Sequence, residues 1–159
     1  MQVGRRLRNP KMAGTRKMKR FVIDTSVAVK WFSQGEDDNK NALLLRQQMF
    51  EKRCTVLAPD LMIYELANAL RFNPHFSAED VRAAINSLLD MGITFKEAGR
   101  NVISQAINLA YKYKLTVYDA CFLALTQTEK TSLLTADTKF LEKIKSLGNI
   151  ILLSEFTEK

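Results

Sequence analysis

The sequence predicts a single α/β domain built as a three-layer α/β/α sandwich with a mostly parallel central sheet. Three observations predict it. Short, mostly apolar runs recur at Phe21-Val22-Ile23, at 54–58, at Ile93-Thr94-Phe95, at 132–135 and at 149–153. Between them lie segments with helical spacing of apolar residues. The length of 159 residues, 47% of them hydrophobic, suffices for one sizeable core and falls short of two ordinary ones. Strands apolar on both sides are covered on both faces, the habit of parallel sheets wrapped by helices. Right-handed crossovers then bring every strand-to-helix loop to one sheet edge, where α/β proteins bind their ligands.

Phe21-Val22-Ile23 reads as a buried strand ending at Asp24, with Thr25 and Ser26 opening a helix whose body is Val27, Ala28, Val29, Trp31 and Phe32. Gly35 to Asp38 makes a polar loop, and a second helix is expected over 39–52. The strand at 54–58 stops at Pro59-Asp60, which opens a helix reaching Phe72. Asn73-Pro74-His75 is a turn. Ser77 and Asp80 have capping-box spacing, and Val81, Ala84, Ile85, Leu88 and Leu89 recur on one helical face. After the strand at 93–95, helices are expected over 98–111 (Val102, Ala106 and Leu109 inward) and 116–130, a strand at 132–135, a short helix over 139–145 and a last strand at 149–153.

The net charge of +7 suggests an anionic partner until its distribution is considered. Residues 1–20 hold eight Lys and Arg and no acid, so the rest of the chain is close to neutral. Residues 1–18 therefore read as a flexible basic leader, or as an extension read from an upstream start codon with Met18 as the natural beginning. Pro10 and Gly14 interrupt any amphipathic helix there and disfavour a transit peptide. The longest apolar run is Ala120 to Leu125, far from the roughly 20 residues of a membrane helix. Cys54 and Cys121 sit in apolar surroundings and read as reduced thiols of a cytoplasmic protein. With His75 the sole histidine, zinc hydrolysis and a serine–histidine triad are poor fits.

Chemistry is carried by four acids placed where an isolated charge is expensive. Asp24 follows the first strand, Asp137 follows Leu133-Leu134-Thr135-Ala136, Glu65 lies inside the apolar helix 61–70, and Asp119 precedes Ala120-Cys121-Phe122-Leu123-Ala124-Leu125. All four can converge on the ligand edge. A carboxylate cluster stays ionised at neutral pH only when cations compensate it. Oxygen donors without histidine favour Mg²⁺ or Mn²⁺, one or two ions, and the chemistry such ions support is hydrolysis at phosphorus. Each acid also has a plainer role: Asp24 capping the helix near Thr25, Asp119 capping one from Ala120, Asp137 in a turn, and Glu65 facing solvent or paired with Arg71 or Lys112. Thr25 and Thr135 are supporting hydroxyls that could hold Asp24 or a water, whereas Ser26 is expected to cap and close a loop.

In order, Phe21-Val22-Ile23-Asp24-Thr25-Ser26, Pro59-Asp60-Leu61 with Glu65, Tyr118-Asp119-Ala120 with Leu123-Ala124, and Leu133-Leu134-Thr135-Ala136-Asp137 resemble the acidic motifs of the PIN-domain nucleases, in particular the VapC-like toxins of VapBC toxin–antitoxin systems. The resemblance implies one PIN-like nuclease domain over 19–159 and a divalent-metal-dependent endoribonuclease, with Asp24, Glu65, Asp119 and Asp137 as catalytic and metal-binding quartet. It also implies a homodimer and a small cognate antitoxin whose C-terminal segment occupies the active-site groove. Several members carry a further acid near the last motif, but Thr138 and Lys139 follow Asp137 here, leaving four carboxylates. Lys30, Arg71, Lys112, Lys114 and Lys139 are candidate phosphate contacts, with solubilising surface as their plainer role, and selectivity is expected from bases splayed from single strands or loops. The rival readings are an RNA-processing PIN nuclease outside toxin–antitoxin systems and a catalytically weak RNA-binding module. A haloacid-dehalogenase-like phosphatase needs a second acid two residues after Asp24, where Ser26 stands.

Overall fold

The computed structural model describes residues 18–33 and 39–157. Apart from Met18, the leader expected at 1–18 lies outside the described residues, as does the whole polar loop read at Gly35 to Asp38. Five strands are connected by seven α-helices, singly or in pairs, in the described chain. Strand β1 (Lys19–Ile23) leads through α1 (Thr25–Phe32) and α2 (Asn39–Phe50) to β2 (Cys54–Pro59). From there α3 (Leu61–Arg71) and α4 (Ala78–Asp90) connect to β3 (Thr94–Lys96), and α5 (Arg100–Tyr113) and α6 (Val117–Thr128) to β4 (Ser132–Thr135). Helix α7 (Thr138–Ile144) and a turn of 3-10 helix then precede β5 (Ile150–Leu152).

The sheet order is β3-β2-β1-β4-β5, and all four pairings are parallel. Right-handed crossovers place α1 to α4 on one face and α5 to α7 on the other. The packing agrees, with α1 against α2 and α3, α3 against α4, and α5 against α6. The three-layer sandwich expected from the apolar runs is what forms. Val22, Ile23, Leu133 and Leu134, in the two central strands, are completely buried, as continuous apolar central strands require. Helix α6 buries every residue from Ala120 to Thr126, which explains why its sequence lacks a polar stripe.

Local signals operate as expected at several boundaries. Ser77 and Asp80 form the reciprocal capping box of α4, and the Asn73 side chain accepts from the His75 backbone N–H in the turn before it. Strand β3 is displaced by one residue from 93–95, because Ile93 is buried just before the ladder begins. Leu89 is largely exposed, unlike Leu88, since it sits at the rim of the apolar stripe rather than at its centre. Asp119 does not cap a helix from Ala120. The helix starts earlier, and Thr116 caps it by accepting from the Asp119 backbone N–H at 3.0 Å. The Asp119 carboxylate is thereby left out of the capping bond.

Candidate active site

The adjacent central strands send their chains in opposite directions, β1 into α1 on one face and β4 into α7 on the other. Such a switch point opens a crevice at the carboxyl edge of a parallel sheet. Asp24 occupies it: its backbone N–H donates to Leu134 O at 3.2 Å, and the residue is only 6% exposed. One carboxylate oxygen, Oδ1, accepts from the Ser26 backbone N–H at 3.0 Å and from the Ser26 hydroxyl. The other, Oδ2, accepts from the Thr135 hydroxyl at 2.5 Å. The two hydroxyls are anchored in turn, because Ser26 Oγ accepts from Ala136 N–H at 2.8 Å and Thr135 Oγ1 from Asp137 N–H at 3.0 Å. Asp24 is also the N-cap of α1, so the plainer role considered for it is real and coexists with its place in the crevice.

Burial pushes the Asp24 carboxyl up from 3.8 to about 6, against the opposing hydrogen bonds of Ser26, Thr135 and Val27, and the negative charge of Asp137 adds to the rise. Glu65, half-buried on α3, is likewise raised by burial; the Thr25 hydroxyl donates to its Oε2 and opposes the shift, while the charge of Asp119 reinforces it. The acids thus fall into two pairs, the charge of Asp137 acting on Asp24 and that of Asp119 on Glu65. Asp137 is exposed and caps α7, its Oδ1 accepting from Phe140 N–H at 3.0 Å. Arg71 lies 5.0 Å over the Phe72 ring and Lys112 5.2 Å over that of Tyr113. The ion pairs found among the described residues fall on Glu51, Glu129 and Glu142.

Two further residues belong to this edge. Ser26 does close a loop, through Ala136, but it also fixes Asp24; a hydroxyl two residues after a strand-ending Asp is the sequence signal for that turn. Asp60, half-buried, ends β2 as Asp24 ends β1, and its charge joins that of Glu65 in raising the Cys121 thiol, after burial.

The oxygen-only donor set, with a buried carboxylate facing further negative charge, fits a hard divalent cation. As the side chains stand, no three His, Cys, Asp or Glu among the described residues are gathered into a ligand set. In this arrangement Asp24 is held by Ser26 and Thr135, Glu65 by Thr25 and Asp137 by the α7 backbone.

Among solved structures, the chain is similar to VapC20 of Mycobacterium tuberculosis, a sarcin–ricin-loop-cleaving toxin, with TM-score 0.62 and 15% identity over 81% of this chain and 95% of that one. It is similar to PAE2754 from Pyrobaculum aerophilum (TM-score 0.63, 18% identity, 86% and 85% covered). A toxin–antitoxin complex from Klebsiella pneumoniae gives TM-score 0.61 at 14% identity, covering 83% and 96%. At these identities the likeness is one of fold. No curated protein sequence matches the chain. The PIN domain model matches residues 21–145, a span that takes in the crevice between β1 and β4 and all four acids, and the chain belongs to the PIN domain family.

Proposed function

We propose that the protein is a divalent-metal-dependent endoribonuclease acting as the toxin of a toxin–antitoxin pair in the cytoplasm, as a homodimer held in check by a small antitoxin. The observation that carries the proposal is Asp24: a carboxylate buried at the switch point, pinned by hydroxyls and facing a second acid. A fold has little reason to maintain so costly a charge unless a cation compensates it in the working state. The fold likeness to toxins, one of which cleaves the sarcin–ricin loop, supports the choice of RNA as substrate.

Asp24, Glu65, Asp119 and Asp137 would hold one or two Mg²⁺ or Mn²⁺ ions. Such ions, when bound, supply Lewis-acid charge for phosphodiester hydrolysis. The chain's own residues set the orientation. Ser26 and Thr135 fix both Asp24 oxygens, and Thr25 fixes one Glu65 oxygen, limiting the freedom that ligation would otherwise have to remove. Arg71, Lys112, Lys114 and Lys139 are the cations proposed to offset the repulsion between the acidic crevice and a phosphate backbone.

The test is cleavage of a mixed single-stranded RNA pool by the purified chain. Mg²⁺ or Mn²⁺ should support cleavage to 5′-phosphate and 3′-hydroxyl ends, and EDTA should stop it. Asp24→Asn or Asp119→Asn proteins that remain folded by circular dichroism yet cleave at the wild-type rate would overturn the assignment. RNA retention without metal-dependent cleavage would instead favour the binding-module reading.

A further inference from the structure

Helix α7 starts at Asp137 and carries Lys139 and Lys143 four residues apart, hence on one face. The Lys143 ammonium donates to the Lys114 carbonyl at 3.5 Å, which ties α7 to the connection between α5 and α6. Lys114 ends α5 in the left-handed conformation, φ 53°, and the chain then turns through Thr116 into α6, whose first turn bears Tyr118 and Asp119. A row of lysines therefore runs from Asp137 round to Asp119, one member of each acid pair. Glu142, the acid within α7, is paired with Lys145 at 2.8 Å, so the charge of the row is not cancelled from its own helix. At the end of the row Tyr118, the residue before Asp119 in the first turn of α6, is 63% exposed.

We propose that this arc binds single-stranded RNA, with Lys114, Lys139 and Lys143 on successive phosphates and the Tyr118 ring stacked on an unpaired base next to the scissile bond. The inference rests on the nuclease reading for where that bond lies. Charge complementarity selects a polyanion, and an exposed ring at the end of a cationic path is how sequence-tolerant single-strand binding is built. A duplex keeps its bases stacked inside and offers Tyr118 nothing, so the arc discriminates single strands from double.

Binding is read without cleavage, by fluorescence anisotropy of a labelled single-stranded oligoribonucleotide and its duplex on the full chain in EDTA. Tyr118→Ala should weaken single-strand binding about tenfold and leave the salt slope unchanged, while Tyr118→Trp retains affinity. Lys143→Ala and Lys114→Ala should each lower the slope of log K against log salt by about 0.7. Phe50→Ala, an 89% exposed aromatic at the end of α2, serves as the control and should change nothing. Variants that bind as tightly as wild type with the same slope overturn the arc, as does wild-type protein that prefers duplex, fails to bind the single strand, or binds only an acidic peptide through these residues. Arc-dependent binding without Mg²⁺-dependent cleavage would sink the nuclease reading alone; cleavage that ignores the arc would sink the arc alone.

Discussion

The two ends of β1 treat negative charge in opposite ways. At the amino end Arg20 reaches Glu129 at 2.5 Å, and Lys96 approaches the same carboxylate at 3.8 Å. At the carboxyl end Asp24, more deeply buried, receives two hydroxyls and a backbone N–H, and its electrostatic neighbour is another acid. The first arrangement is a pairing complete in itself. The second leaves net negative charge in a crevice, stabilised by dipoles that orient it without neutralising it. One strand thus separates an ion pair that serves the fold from an acid that costs the fold stability, and this is where a stability–function conflict is expected.

Breaking that contrast at its costly end should have the largest effect. Asp24→Asn should lower RNA cleavage on the order of 10²–10³-fold, yet stabilise the metal-free protein by about 1–3 kcal/mol near neutral pH, because a buried unpaired charge is gone. Cleavage rates and urea denaturation in EDTA measure the two halves, and a variant less stable than wild type would contradict the account. The wild-type protein should show the same conflict as pH dependence. A carboxyl raised from 3.8 to about 6 binds its proton more tightly when folded, so folding stability is highest below about pH 4 as far as this group is concerned. It falls as pH rises towards 6 and is flat above, losing about 3 kcal/mol in total. Denaturation midpoints across that window, compared with Asp24→Asn, isolate the contribution.

Loosening the dipoles sharpens the comparison further. Thr135→Val and Ser26→Ala should each reduce cleavage about 10–100-fold through misorientation of Asp24, at about 1–2 kcal/mol of stability per lost buried bond. Titration of Asp24 by NMR should move further upward in both. The smallest effect belongs to the other end: Arg20→Ala breaks a half-exposed pair and should cost no more than about 1 kcal/mol, with cleavage unchanged.

Much of the fold was readable because its signals are local. The apolar runs that became β1, β2 and β4, the turn at Asn73 and the Ser77–Asp80 capping box depend on neighbours within a few residues, and all appear at or within a residue or two of their expected places. The site was readable as a set of expensive acids, but the roles of particular side chains were not. Asp119 read both as a possible helix cap and as an acid of the cluster, and it is the Thr116 side chain taking the capping bond that leaves the Asp119 carboxylate out of it. Asp60 read as a helix opener, and its electrostatic link to Cys121 across α3 and α6 has no sequence signature. Ser26 was legible as a turn hydroxyl and illegible as the link between Asp24 and Ala136.

What the amino-acid order determined by itself is therefore the identity and succession of the elements, since periodicity, caps and breakers act over one or two turns of chain. What only tertiary structure decided is which acids share a neighbourhood and how each is held. Thr135 reaches Asp24 across 111 positions of sequence because β4 lies beside β1 in the sheet, and that same placement removes the water that would have kept the Asp24 carboxyl near 3.8.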